Sequence, residues 1–228
     1  MSEVKTKPEP TQNTQISQFE RNLRLCESNE PAVLAEIYDK NTDIAIWKRE
    51  LPHSLQDTVA DFIDFNPNYK MSVAIAPTEA QTTLNELLGN VTSSEFCDDV
   101  ATLIDMFCTL FGIEQAGVRL SVLDNAMCPR FHVDRIPCRL LTTYQGIATQ
   151  WLHDEHVDRS KLGHGSCGKP DCESGLFVQS QGIQQLNQGD VAILKGDLWH
   201  GNEGRGLVHR SPSTGNARRL LLTIDIVS

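Results

Sequence analysis

The sequence predicts a single α+β domain in which N-terminal helices pack on one face of an antiparallel double sheet of the jelly-roll type. Helical periodicities dominate the first half of the chain. From Gly117 onward, short runs rich in Val, Leu, Ile and Thr alternate with turn residues. Because helices come first and strands afterwards, the pattern argues against a parallel sheet built from alternating strands and helices.

The 228 residues divide into three parts. Residues 1–14 are polar and contain two prolines, so we expect a disordered tail. Residues 15–116 form an N-terminal helical region, and residues 117–228 form the β core with a loop insertion at 153–175. The hydrophobic content of 39% is enough for one substantial core.

The helical region contains one helix of particular strength, near residues 100–111. Its apolar residues recur at positions i, i+3, i+4 and i+7, and Gly112 ends it. One continuous face of this helix must therefore be buried, and a sheet is the expected partner. The other predicted helices span 17–37 with an interruption at Pro31, 54–65 and 78–88, and two strands span 43–47 and 70–76.

The β core is expected to contain seven strands, each short and bounded by Gly, Asn, Asp or Pro. A histidine and an aspartate two residues apart lie in the second of them. The predicted strands span 118–123, 131–134, 139–144, 150–152, 176–179, 190–194 and 220–226.

Charge and composition exclude several classes of protein. The chain has 20 Lys and Arg against 30 Asp and Glu, and the net charge of −10 opposes nonspecific binding to nucleic acid or anionic membranes. No apolar run approaches the roughly 20 residues that span a bilayer, and the first residues lack a secretory signal. We therefore expect a cytoplasmic protein with reduced cysteines, acting on a small molecule or a protein side chain.

The tripeptide His132-Val133-Asp134 is the strongest candidate for a metal site. A strand places residues i and i+2 on one face, so the imidazole and the carboxylate project together. A distant histidine would complete the two-histidine, one-carboxylate triad that many proteins use for Fe(II). His209 is the preferred third ligand because it leads toward the last strand, and His200, which follows Asp190 by ten residues, is the alternative.

The order of further motifs in residues 117–228 resembles the Fe(II)/2-oxoglutarate-dependent dioxygenase superfamily. After His132 and Asp134 come a turn at Gly189-Asp190, then His209-Arg210-Ser211-Pro212, and then Arg218-Arg219. The resemblance implies a double-stranded β-helix, a cupin-like fold, with Fe(II) and 2-oxoglutarate as cofactors. It also implies that His132, Asp134 and His209 bind the iron and that an arginine near the end binds 2-oxoglutarate.

Two arginines are candidates for binding the 2-oxoglutarate carboxylate, because arginine supplies a rigid fork of donors. Arg218 shares strand parity with Leu220 and the other apolar residues, so we rank it slightly before Arg219. Arg210 takes this role if His200 is the third ligand. By resemblance, residues 142–144 help to form the floor of the cosubstrate site, where Tyr144 is the favoured hydrogen-bond donor.

A narrower resemblance concerns the stretches FHVDRIPCRLLTTYQG and GLVHRSPSTGNARRLLLTID. They are similar to an uncharacterised bacterial family known only as a domain of unknown function, whose members are often encoded beside zinc-homeostasis genes. The prediction from both resemblances is an Fe(II)/2-oxoglutarate oxygenase, either a hydroxylase or a demethylase. The alternative is a cupin-like zinc-binding protein or metallochaperone of metal homeostasis without redox catalysis.

The insertion holds a second group of possible metal ligands. Imidazoles and thiolates are the ligands that zinc favours, although the spacing here supplies only part of the usual paired pattern. A polar, glycine-rich loop needs no metal, and this is the competing interpretation. The possible zinc ligands are His153, His156, His164, Cys167 and Cys172.

Overall fold

The computed structural model describes residues 25–89, 94–177, 182–215 and 217–227. Its strands are β1 Cys26–Ser28, β2 Ile44–Trp47, β3 Lys70–Ile75, β4 Ala116–Leu123, β5 Cys138–Gln145, β6 Gln150–Leu152, β7 Ile183–Gln185, β8 Val191–Lys195, β9 Val208–Arg210 and β10 Arg219–Ile226. Its α-helices are α1 His53–Phe65, α2 Ala80–Leu88, α3 Ser94–Phe111 and α4 Asp171–Ser174. The predicted tail, residues 1–14, lies outside the described residues.

Two sheets form the core of the fold. The large sheet has the strand order β1-β2-β8-β5-β10-β4-β3, and the small sheet has the order β7-β6-β9. All pairings are antiparallel except that of β1 with β2. The predicted α+β class is confirmed, and the arrangement is that of a double-stranded β-helix whose sheets do not close into a barrel.

The large sheet is buried on both faces at its centre, because helices cover one face and the small sheet covers the other. In β10, Leu220, Leu222 and Ile224 belong to the core that includes α1, α2 and α3. Leu221 lies on the opposite face, in the core shared with Trp151 of the small sheet. A strand buried on both faces has an almost continuous apolar sequence, which is what β10 shows.

The N-terminal region is less helical than the sequence predicts. Strands β1, β2 and β3 come from it and join the large sheet. The predicted helix at 17–37 is wrong over its described part, where β1 is followed by a 3-10 helix at Pro31–Tyr38. Its first residues, 17–24, lie outside the described residues. The helices predicted at 54–65, 78–88 and 100–111 are confirmed within a few residues, the second beginning as the 3-10 turn Pro77–Glu79.

The strand predictions in the core differ at the shortest elements. Residues 131–134 form one isolated bridge, between His132 and His209, instead of a regular strand. The prediction at 176–179 is reduced to a bridge between Val157 and Phe177, and residues 178–181 lie outside the described chain. Strands β7 and β9 are three residues each, too short to produce a recognisable alternation.

The insertion covers the face of the small sheet that points away from the large sheet. Its residues enclose a separate apolar cluster that includes Phe131, Leu152, Leu176 and Val208. Arg159 holds the insertion in place by donating to the backbone oxygen of Gly206 at 3.0 Å. No helix in the described part of the chain has the length and apolar character needed to cross a membrane.

Candidate metal centre

His132 and His209 are brought together by a backbone bridge. Each backbone N–H donates to the other residue's carbonyl oxygen at 3.0 Å, so the two residues lie directly opposite each other. Residues opposite each other in an antiparallel pair point their side chains to the same face. This face is directed into the space between the sheets, where Trp151, the β6 partner of His209, is also buried.

Asp134 completes the group, as the His-x-Asp spacing predicts. Its carboxylate oxygens lie 3.7 Å from Nε2 of His132 and 3.5 Å from Nε2 of His209. The imidazole centroids are 4.6 Å apart, and one ligand atom from each of the three residues lies within 4.8 Å of the other two. Among the described residues, this is the group of three or more His, Cys, Asp or Glu side chains that converges closely enough for one ion.

Both imidazoles are oriented by the backbone. Nδ1 of His132 lies 2.9 Å from the carbonyl oxygen of Arg130, and Nδ1 of His209 lies 3.1 Å from that of Leu207. A carbonyl oxygen only accepts, so each Nδ1 donates a proton to it, and Nε2 is the ring nitrogen that faces Asp134. In most histidines that bind metals, a hydrogen bond from the nitrogen that does not bind the metal fixes the tautomer in this way.

The electrostatics of the centre favour a neutral histidine beside an ionised carboxylate. Burial, followed by the neighbouring His209, lowers the pKa of His132 below its ordinary value. Burial alone would raise the pKa of Asp134, but its contacts with His209 and Arg139 outweigh burial and lower the pKa to about 2. At neutral pH the centre therefore offers an uncharged His132 and an ionised Asp134, the protonation states in which these residues bind a metal.

The alternative third ligand lies elsewhere. His200 is exposed, and it does not belong to the converging group in the described chain. Arg210, the carboxylate-binding arginine of that alternative, follows His209 in β9 and therefore points to the opposite face of the small sheet. There its Nε donates to Oε1 of Gln150 at 2.8 Å, and its guanidinium stacks on the ring of Phe131 at 4.3 Å.

Arg219 is buried between the sheets, whereas Arg218 is at the surface. Arg219 is 1% exposed and donates to the hydroxyls of Ser211 at 2.9 Å, Thr149 at 2.8 Å and Thr143 at 3.0 Å. The half-exposed Arg218 lies 3.8 Å from the exposed carboxylate of Asp64. The ranking of Arg218 first is therefore not supported by the structure, because the apolar parity of β10 marks the face under the helices.

No carboxylate compensates Arg219 among the residues that the structure describes. Burial lowers its pKa to about 10, still far above neutral, so the side chain remains a cation. Arg219 contacts Ser211, which lies two residues after His209 on the same side of the chain. The uncompensated cation therefore lies in the same inter-sheet space as the candidate metal ligands, and an anionic ligand there would satisfy it.

Tyr144 does not face this space, contrary to the sequence-based expectation. Its hydroxyl donates to Oδ2 of Asp99 in α3 at 2.6 Å, and its ring packs edge-on against Phe96 at 4.9 Å. Successive residues of a strand alternate, so Thr143 reaches Arg219 while Tyr144 packs under the helices. Burial raises the pKa of Tyr144 well above its ordinary value.

The possible zinc ligands of the insertion do not converge in the structure. No three of His153, His156, His164, Cys167 and Cys172 meet the distance needed for one ion, as judged from the described residues. The rings of His153 and His156 are 6.3 Å apart, and both cysteines are exposed. The insertion is held instead by its apolar cluster and by Arg159.

Sequence reasoning gave no role at the metal centre to three residues that shape it. Thr149 lies outside any predicted strand, and no sequence signal marks it. Arg139 and Asp225 lie in predicted strands. A charged residue among apolar strand residues is unusual, and this is a signal that their side chains have polar partners. Arg139 donates to both Asp134 and Asp225, so it connects the centre to the large sheet.

The donor set fits an iron-type centre. Two imidazoles and one carboxylate on one side leave other coordination positions open, the arrangement typical of non-haem Fe(II) oxygenases. The buried cation with only hydroxyl partners fits the carboxylate of an organic acid. The residues present therefore match both the metal and the cosubstrate that the sequence resemblance implies.

The chain is similar to several solved structures at low sequence identity. The chain is similar to a rice dioxygenase for auxin oxidation, with a TM-score of 0.51 and 11% identity over 82% of this chain and 74% of that one. For a Pseudomonas putida prolyl-4-hydroxylase the TM-score is 0.46, and the identity is 12% over 85% of this chain and 96% of that one. For EvdO2 from Micromonospora carbonacea var. aurantiaca, complexed with 2-oxoglutarate, the TM-score is 0.43, and the identity is 12% over 86% of this chain and 91% of that one. At 11% identity, the similarity to the rice dioxygenase shows the fold alone.

The protein is thus a double-stranded β-helix with a candidate two-histidine, one-carboxylate centre. More narrowly, it belongs to the family described as protein of unknown function (DUF1826), whose model matches residues 28–225. No curated protein matches the sequence.

Proposed function

We propose that this protein is an Fe(II)- and 2-oxoglutarate-dependent oxygenase, a hydroxylase or demethylase acting on a small molecule or a protein side chain. The observation that carries the proposal is the convergence of His132, Asp134 and His209 within 4.8 Å. The buried, uncompensated Arg219 supports it, and so does the similarity in fold to a structure whose name describes a dioxygenase.

The three ligand residues would hold the metal with little rearrangement. Nε2 of each histidine faces Asp134 because Nδ1 is bonded to a carbonyl oxygen, and Asp134 is ionised at neutral pH. Bound Fe(II) and 2-oxoglutarate together supply the activation of dioxygen for oxidation of a substrate.

Arg219 would bind the distal carboxylate of 2-oxoglutarate. Its hydroxyl partners fix the guanidinium from two directions, Ser211 from one side and Thr149 and Thr143 from the other. A fixed, dry guanidinium binds a carboxylate more strongly than a solvated one, because both the charge and the donor geometry are already in place. Burial between the sheets also excludes bulk water from this end of the site.

The test is succinate formation from 2-oxoglutarate by the purified protein with and without Fe(II) under air. We expect iron-dependent succinate formation and its loss in the His132→Ala and Asp134→Ala variants. His200→Ala is the matched control, since His200 is an exposed histidine outside the group, and it should retain the wild-type rate.

The proposal fails if the wild-type protein neither binds 2-oxoglutarate in the presence of Fe(II) nor forms succinate. Binding of Zn²⁺ at His132, Asp134 and His209 with no affinity for 2-oxoglutarate would instead support the alternative prediction of a metal-binding protein without redox catalysis.

A further inference from the structure

Four charged side chains of alternating sign run from the metal centre along the inner face of the large sheet. Nη1 of Arg139 donates to Oδ2 of Asp134 at 2.7 Å. The same guanidinium donates through Nε and Nη2 to the two oxygens of Asp225 at 2.7 and 2.9 Å. Arg119 then donates to Oδ2 of Asp225 from the far side. We call these four residues, Asp134, Arg139, Asp225 and Arg119, the charge row.

The strand register explains why the charge row forms. Arg139 in β5 and Asp225 in β10 are directly paired residues, so their side chains share the inner face of the sheet. Arg119 in β4 is paired with Thr223 and lies diagonal to Asp225, within reach of a long side chain. Asp134 reaches the end of the row from the segment that precedes β5.

Arg139 holds the carboxylate of Asp134 in place beside the two histidines. Its Nη1 donates to Oδ2, which also lies 3.5 Å from Nε2 of His209, and Oδ1 lies 3.7 Å from Nε2 of His132. Because the guanidinium restricts the rotation of the carboxylate, its oxygens are presented beside the histidine nitrogens before any ion arrives. A guanidinium has the fork of donors needed to hold two carboxylates at once.

We propose that Arg139 is a positioning residue of the metal centre, which holds Oδ2 of Asp134 and so keeps the carboxylate directed toward the ion. The inference rests on the proposed function only in requiring that the centre binds a divalent metal. Arg139 does not contact the ion itself.

Asp225 makes this arrangement compatible with a cation nearby. A lone guanidinium beside a divalent ion would repel it, and the repulsion is stronger in a partly buried site. Asp225 is 7% exposed at its side chain and cancels the charge of Arg139 through two hydrogen bonds. Arg139 can therefore orient Asp134 with little net positive charge next to the ion.

The row also links β5 to β10, so a purely structural role must be distinguished from a positioning role. These strands are already paired over most of their length, from Leu220 to Asp225 of β10. A structural role would change the free energy of unfolding and leave metal affinity and metal spectra unchanged in the folded variant. A positioning role would change the metal properties themselves.

The experiment measures anaerobic binding of Fe(II) and of Co(II) to the full chain without 2-oxoglutarate, together with the visible absorption spectrum of the Co(II) protein. We expect Arg139→Met to weaken binding by about 10- to 100-fold, the usual effect of removing an outer partner of a metal ligand. Its Co(II) spectrum should shift, because Asp134 is no longer fixed. Arg139→Lys should recover part of the affinity, since an ammonium can still donate to Asp134 but lacks the rigid fork that fixes it.

Arg119→Met is the matched control, because it removes the same charge from the same Asp225 without touching Asp134. Arg119 is 52% exposed at its side chain. We expect metal affinity to change by less than about fivefold, as for other largely exposed ion pairs. An equal loss in Arg119→Met and Arg139→Met would overturn the inference, because general charge would then explain both.

Wild-type affinity and an unchanged Co(II) spectrum in folded Arg139→Met would also overturn it. If Arg139→Met does not fold, metal binding is measured in Arg139→Lys and Asp225→Asn instead. Weakened binding in both supports the inference, and wild-type binding in either overturns it. If Arg139→Met weakens metal binding but the wild-type protein forms no succinate, only the proposed function is overturned. If the wild-type protein binds neither Fe(II) nor Co(II), the proposed function and this inference are both overturned.

Discussion

The two faces of the large sheet each bury an arginine, and the two arginines have different surroundings. Under the helices, Arg49 donates to both oxygens of Asp99 at 2.6 and 3.0 Å and to the carbonyl of Gly189 at 2.9 Å. Between the sheets, Arg219 donates only to the hydroxyls of serine and threonine. Every nitrogen of both guanidiniums has a hydrogen-bond partner, but only Arg49 is neutralised by a carboxylate.

The pKa values of these two arginines shift in opposite directions because only Arg49 has a carboxylate beside it. Burial alone would lower the pKa of Arg49, but Asp99 and the hydrogen-bonded Tyr144 raise it above its ordinary value. Burial lowers the pKa of Arg219 to about 10, and no acid opposes it. A buried cation without an acid is costly for stability. This difference is the one expected if Arg49 belongs to the scaffold and Arg219 to the proposed ligand site.

The largest expected effect is on ligand binding in Arg219→Met. Removing one partner of a buried, hydrogen-bonded charge pair costs about 2–5 kcal/mol, so 2-oxoglutarate affinity should fall by at least about 30-fold. The free energy of unfolding should change by less than about 1 kcal/mol, since an uncompensated charge is removed. Calorimetric titration with 2-oxoglutarate in the presence of metal and urea denaturation measure the two quantities.

Arg218→Met is the control for this prediction, because it removes a neighbouring arginine from the surface. Its 2-oxoglutarate affinity should equal that of the wild-type protein. Loss of affinity in Arg218→Met with retention in Arg219→Met would reverse the comparison and restore the sequence-based ranking.

The second effect is on stability in Asp99→Asn, which leaves Arg49 buried without a carboxylate. Breaking a buried ion pair from one side costs about 3 kcal/mol, and the Asp99 and Arg49 side chains are only 18% and 12% exposed. Urea denaturation should show this loss while 2-oxoglutarate affinity stays unchanged. Asp64→Asn removes an exposed aspartate from a surface pair and should cost less than about 0.5 kcal/mol. Equal losses in the two variants would contradict the assignment of Arg49 and Asp99 to the scaffold.

Much of the fold and part of the site are predictable from local sequence, and the remainder depends on tertiary structure. The spacing of His132 and Asp134 places two side chains on one side of any extended chain, so the pair needs no tertiary information. The choice between Arg218 and Arg219 does need it. Parity identifies the buried face only when a strand has one such face, and β10 has two.

Tyr144 illustrates the same limit in β5, which is also covered on both sides. The sequence shows that Thr143 and Tyr144 point in opposite directions, but it does not show which direction leads to the ligands. The possible zinc cluster shows a different limit. Ligand types close in sequence predict an ion only if the loop folds so that they converge, and loop conformation is set by contacts such as those of Arg159.

The smallest effect is expected in Tyr144→Phe, which removes one hydrogen bond from the scaffold network. The hydroxyl donates to Asp99 at 2.6 Å, and a hydrogen bond to a charged group contributes about 1.5–3 kcal/mol. We expect a loss near the lower value, because Arg49 still satisfies Asp99 and the ring still packs against Phe96. The loss should be smaller in the Asp99→Asn background, since the two residues share one network. Urea denaturation of the double-mutant cycle measures this coupling. Affinity for 2-oxoglutarate should not change, and a fall comparable to that in Arg219→Met would place Tyr144 in the ligand site and contradict the division between the two faces.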